Sequence, residues 1–92
     1  MKYITLDFEG IKTPWDLHEY FKTVFQLPDY YGRNMDALWD CLYYSFEFST
    51  TITLKNVSAI PAEMQETVKV VLELFADLQR EDKKVTVIVE PD

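Results

Sequence analysis

Apolar residues recur along this chain with two periods, and each period marks a kind of element. From Lys2 to Phe8 the pattern alternates, with Ile4, Leu6 and Phe8 on one side, which predicts a strand. Glu9-Gly10 ends it, and Thr13-Pro14-Trp15-Asp16 opens a helix. Thr13 can cap, Pro14 suits the first helical position, and Asp16 follows the cap by three residues. Leu17, Tyr20, Phe21, Val24 and Phe25 then recur at helical spacing and form one apolar stripe. Leu27-Pro28-Asp29 stops that helix, because the residue before a proline is driven out of the helical region. Tyr30-Tyr31-Gly32-Arg33 reads as a loop in which Gly32 can take a positive φ. Asn34 is a good cap for a second helix running to about Tyr44. Thr51 to Leu54 is a short β-branched strand. Pro61 opens another helical region, and Met64, Val68, Val71, Leu72, Phe75 and Leu78 carry a long helix to about Glu81. Continuity from Pro61 and a break near Gln65 are both compatible with this spacing. Val85 to Val89 is a near-continuous apolar run, expected to be a fully buried strand.

The order β-α-α-β-α-β, with room for a short extra helix after the second strand, predicts an α/β fold. Strands separated by helices favour a small three-stranded parallel sheet packed with three to four helices. The 92 residues amount to one expected domain, 1–92. Hydrophobic residues at 48% and aromatics at 15% are enough to fill its core. A net charge of -7 disfavours direct nucleic-acid binding, which needs cations against phosphates. It fits either plain solubility or the steering of a basic partner. The lone cysteine, Cys41, allows no internal disulfide and fits a reducing compartment. The N-terminus lacks the apolar run of a signal peptide, and no segment reaches the roughly 20 apolar residues of a membrane span. A soluble cytoplasmic protein is expected.

The chemistry concentrates in Tyr30 to Leu42, YYGRNMDALWDCL. At helical spacing Met35, Leu38 and Leu42 share one side, with Trp39 at its edge, while Asp36, Asp40, Tyr43 and Tyr44 share the other. Asp36 and Asp40 stand one turn apart, with Cβ atoms roughly 5–6 Å from each other. Asp36 is favoured by the helix dipole; Asp40 is a poor mid-helix residue with no such compensation. A solvated helix face explains the pair, and so does a surface kept acidic for a partner. Glu73, Asp77 and Glu81 form a second acidic row that would merge with the first if the two helices are neighbours. Tyr30, Tyr31, Trp39, Tyr43, Tyr44 and Phe46 surround the acidic helix, as aromatics do at binding hot spots. One histidine, His18, two glycines and no triad context leave little for an enzyme, a transition metal or a phosphate loop. No catalytic residue, metal or cofactor is expected.

The segment YYGRNMDALWDCL resembles the barstar family of intracellular ribonuclease inhibitors. Asp16-Leu17-His18, Leu27-Pro28, Val70 to Phe75 and Val85 to Val89 fall in register with that family along nearly the whole chain. The resemblance implies a three-stranded parallel sheet with packed helices. It also implies a loop and second helix that plug the active site of a basic, barnase-like ribonuclease, one inhibitor per enzyme. By the same resemblance Asp40 takes the place of an RNA phosphate and Asp36 supports it. Tyr30, Gly32 and Asn34 match loop contacts, Trp39 matches a tryptophan beside the interface, and Asp77 and Glu81 match acidic residues of the later helix. Together with Arg33, Met35, Tyr43, Tyr44 and Phe46 these make the expected partner-binding set, on a chain expected to be monomeric when free. The sequence departs from the best-known member at Arg33, which is acidic there, at Tyr44-Ser45, and at Asp77, one methylene shorter. Those changes spare Asp40 and alter its rim, so a protein-interaction module for a non-nuclease basic partner is the alternative reading. A hydrolase or metal site on the carboxylates is a third, motivated by the aspartate pair alone.

Overall fold

The computed structural model describes residues 1–91. Its elements run β1 (Lys2–Asp7), α1 (Pro14–Phe25), α2 (Met35–Leu42), β2 (Thr50–Lys55), α3 (Gln65–Glu81) and β3 (Val85–Val89). Two 3-10 turns, Val57–Ala59 and Ala62–Met64, lie between β2 and α3. The long helical region opened by Pro61 is therefore broken: a tight turn ends at Met64 and the α-helix starts at Gln65. All strands pair in parallel in the order β1-β2-β3, with Ile4, Ile52 and Val87 in register across the sheet.

One face of this sheet carries the core. Leu6, Ile52, Leu54 and Val85 are buried beneath Leu17 and Phe21 of α1, Leu38 and Leu42 of α2, and Val71, Phe75 and Leu78 of α3. Aromatic rings knit the two layers together. Phe21 meets Phe8 edge-on at 6.3 Å and Phe75 at 6.0 Å, which joins the residue just after β1 to α1 and α3 through one side chain. The shortest dimension of the molecule, 19 Å, fits one sheet plus one helical layer.

The opposite sheet face is open. Tyr3 is 73% exposed and Ile88 47%, and Thr5 and Thr86 are exposed beside them. This corrects the expectation of a fully buried last strand. β3 is an edge strand with one face bare, and its final residues Ile88 and Val89 reach water. The β-branched run Val85–Val89 reflects strand preference as much as burial.

The end of α2 also differs from the sequence expectation. The helix stops at Leu42, because Tyr43 turns to extended backbone and Tyr44 adopts a left-handed φ of 52°. Ser45 closes the turn through its amide, which donates to the Leu42 carbonyl at 3.1 Å.

Candidate functional site

The loop between α1 and α2 is shaped by a cap, a left-handed step and two tethers. Asn34 has extended backbone, and its Oδ1 accepts from the Ala37 amide at 2.8 Å, satisfying a donor that the first turn of α2 leaves free. Asn34 Nδ2 donates back to the Gly32 carbonyl at 3.2 Å. Replacing Asn34 by alanine should cost about 1 kcal/mol, and thermal unfolding should shift down by about 4–8 °C. The left-handed backbone falls on Arg33, with φ 50°, and not on Gly32 as the sequence suggested. At Gly32 space is tight instead: a Cβ there would stand 3.2 Å from Asn34 Nδ2 and 3.4 Å from the Ala37 Cβ, so the Asn34 side chain would have to shift by a few tenths of an ångström.

Both tethers end on α1. Tyr31 is buried, and its hydroxyl lies 2.6 Å from Nδ1 of the buried His18. Arg33 reaches Glu19 Oε2 through both Nε and Nη2 at 2.9 Å, with its guanidinium 4.5 Å from the centre of the Trp15 ring. Burial, then the nearby Arg33 charge, holds the His18 imidazole below its ordinary range. Burial also pushes the Tyr31 phenol up to about 12. Below its ordinary value of 6.5, His18 binds protons more readily in the unfolded chain, so stability falls as the medium acidifies. Above 10.0 the unfolded Tyr31 ionises first, so stability is lost as pH rises toward 12. Denaturation melts across pH should show a plateau between these limits, and Tyr31→Phe should flatten the alkaline limb.

On α2, Asp36 and Asp40 are exposed, while Leu38 and Leu42 anchor the other side in the core. Asp40 borders a groove of about 730 Å³ whose walls include Phe25, Leu27 and Tyr30, giving its carboxylate an open approach. Tyr30 stands beside it, 87% exposed. From Trp39 an aromatic series continues through Tyr43 at 5.2 Å to Tyr44 at 4.4 Å, and the Tyr44 hydroxyl donates to the Glu81 carbonyl at 3.1 Å. The end of α2 and the end of α3 are thus adjacent. Partial desolvation, Tyr44, and the carboxylates of Glu81 and Asp82 hold the Tyr43 phenol above its ordinary value.

The sequence-derived residues divide accordingly. Tyr30, Asp36, Asp40, Tyr43 and Tyr44 are all exposed; Tyr30 and Asp40 border the same groove, and Tyr44 reaches Glu81. Asp77 is half-buried and engages Arg80, so its charge is partly spent. Phe46 packs its ring edge-on against Phe25 at 6.4 Å, and Met35 and Trp39 lie partly against the core. Arg33 points to α1, and with it the structure adds Trp15, His18, Glu19 and Tyr31 as supports of the loop. The spacing of Trp15, His18 and Glu19, which puts them on one face of α1, was the available signal. Among the described residues no group of three His, Cys, Asp or Glu side chains could hold a metal ion. No helix among them is long and apolar enough to cross a membrane.

Residues 1–91 match the family described as barstar, the barnase inhibitor. The chain belongs to the barstar family. The three-stranded parallel sheet with helices on it is the fold expected of a barstar-family chain. A protein of Bacillus subtilis (strain 168) named "Putative ribonuclease inhibitor YrdF" is 40% identical over 77 residues, covering 84% of this chain and 81% of that protein. Family and relative together support a barnase inhibitor-like role for this barstar-family chain.

Proposed function

We propose that this chain is an inhibitor of a small, basic, barnase-like ribonuclease, bound one to one, and that it has no catalytic activity of its own. Asp40 is the central contact and stands where the enzyme would hold an RNA phosphate. The observation that carries this reading is the placement of Asp40, an exposed carboxylate on a short capped helix beside an ordered loop and an open groove. A ribonuclease site aims guanidinium and imidazolium groups at phosphate. A carboxylate fixed on a helix offers those groups charge-assisted hydrogen bonds and contains no bond to cleave. Asp36 and Glu81 extend the negative surface, which speeds encounter with a cationic enzyme. Tyr30, Tyr43 and Tyr44 supply aromatic area that excludes water around the charges. A cytoplasmic inhibitor, monomeric until its enzyme arrives, fits this role.

The test is RNA cleavage by a panel of small basic ribonucleases, barnase among them, titrated with the purified protein. Stoichiometric inhibition is expected, and raising salt from low to physiological strength should slow association by screening the acidic surface. Inhibition insensitive to Asp40→Ala would remove the phosphate-mimic mechanism. A panel left wholly active, with a basic non-nuclease protein captured at the same surface, would favour an interaction module instead.

A further inference from the structure

We infer that one face of α1, carrying Trp15, His18 and Glu19, is a splint that holds the contact loop in its binding shape, with Trp15 and Glu19 acting as positioning residues through Arg33. This rests on the inhibitor reading for its use, though the splint is a property of the free chain. The loop from Tyr31 to Asn34 precedes α2 directly, so its shape sets where that helix starts and hence where Asp36 and Asp40 point. Loops of this kind lose order at little cost unless something ties them down. Here two ties meet α1 at neighbouring residues, with a ring one turn earlier: Tyr31 on His18 at 2.6 Å, and Arg33 on Glu19 at 2.9 Å with its guanidinium 4.5 Å from the Trp15 ring. The left-handed backbone of Arg33 is uncommon for a residue with a side chain. The ion pair and ring contact hold that conformation in place.

Glu19 has a second effect. Arg33 is a cation in a loop flanked by the acidic helix, and a free cation there would repel a basic enzyme. Paired with Glu19, with side chains 27% and 41% exposed, it is neutralised within the chain. The loop therefore meets its partner without an unspent positive charge. Binding to a loop already in shape avoids the ordering cost that a mobile loop adds.

The splint is tested first without any partner, by amide hydrogen exchange on the free protein. The amides of Tyr31, Ala37 and Leu38, bonded within or just after the loop, report on its order. Those of Ile52 and Leu54, in the central strand, report on the whole fold. Glu19→Gln, Trp15→Ala and Arg33→Ala should each speed exchange at the loop amides by about two- to fivefold, the range for breaking a part-exposed ion pair or cation–π contact. The central-strand amides should not change. The exchanged pair Glu19→Arg with Arg33→Glu should restore part of the protection lost in Glu19→Gln, since it reverses the charges of the ion pair while giving up the contact of Arg33 with Trp15. Loop exchange unchanged in the single variants, or accelerated equally in the central strand, would overturn the splint. Protection in the exchanged pair no better than in Glu19→Gln would overturn the share assigned to the ion pair. Against a panel ribonuclease that the wild type inhibits, Glu19→Gln should slow association more than Arg33→Ala, because it also unmasks a cation; equal or absent effects would overturn the masking role. A panel untouched by the wild type counts against the inhibitor reading, while the exchange result still decides the splint.

Discussion

Asp40→Ala is expected to raise the inhibition constant against a susceptible ribonuclease by roughly 30- to 5,000-fold, the equivalent of about 2–5 kcal/mol. That is the general cost of stripping one partner from a buried charged pair at an interface, a range to which barnase–barstar measurements themselves contributed. The loss arises because the enzyme's cations would be desolvated against a methyl group. In the free chain the opposite holds. Asp40 is exposed, has no hydrogen bond or ion pair among the described residues, and faces Asp36 one turn away. Removing it relieves a like-charge pair and replaces a poor helix former with the best one, worth a few tenths of a kcal/mol. Thermal melts should therefore show Asp40→Ala equal to or slightly more stable than the wild type. Greater stability with lost inhibition would identify Asp40 as a residue kept for binding at the expense of folding. A drop in stability matching the drop in inhibition would remove that interpretation.

Phe75→Ala should be the most destabilising of the substitutions considered. Phe75 is fully buried and lies at the meeting of two helices, with ring centres 6.0 Å from Phe21 and 6.4 Å from Phe25. Truncating a buried phenylalanine costs about 3–5 kcal/mol, from lost transfer energy and the cavity left behind. A domain of this size has about 5–14 kcal/mol in total, so a large share of it would vanish. The midpoint of thermal unfolding should fall by on the order of 20 °C, measured by far-ultraviolet circular dichroism. At temperatures where the variant remains folded, inhibition should persist, since Phe75 does not reach the acidic surface. A midpoint lowered by only a few degrees would mean that α1 and α3 are not held together at this ring.

The elements were legible where burial and periodicity coincide. Ile4, Leu6 and Phe8, or Leu17 and Phe21, report the core directly because their spacing is the spacing of the buried face. Thr13 and Asn34 announced their helices because a cap is a local hydrogen bond. The sequence was a poorer guide where backbone conformation departs from residue preference. Tyr44 ends α2 in a left-handed conformation that no glycine or asparagine signals, and Arg33, not its glycine neighbour, takes the left-handed step in the loop. In β3 the apolar run suggested two covered faces, whereas the helices cover only one. The candidate site divides similarly. Asp36 and Asp40 could be read from the helix pattern and the family resemblance. The ties of Tyr31 to His18 and Arg33 to Glu19 join residues 13 and 14 positions apart, so the helical spacing of Trp15, His18 and Glu19 marks their face of α1 but not the loop residues that meet it.

The brevity of α2 limits how far the proposed binding surface could be reduced. Eight residues amount to little more than two turns, and isolated helices shorter than about 12–15 residues are marginal in water. A synthetic peptide copied from Met35–Leu42 would lose both the cap at Asn34 and the floor beneath Leu38 and Leu42, and with them its helical shape. The acidic display is therefore not a portable epitope. Miniaturising it would require a cross-link or a scaffold to replace the layers that hold the helix, and any agent that melts the core should dismantle the acidic display in the same step.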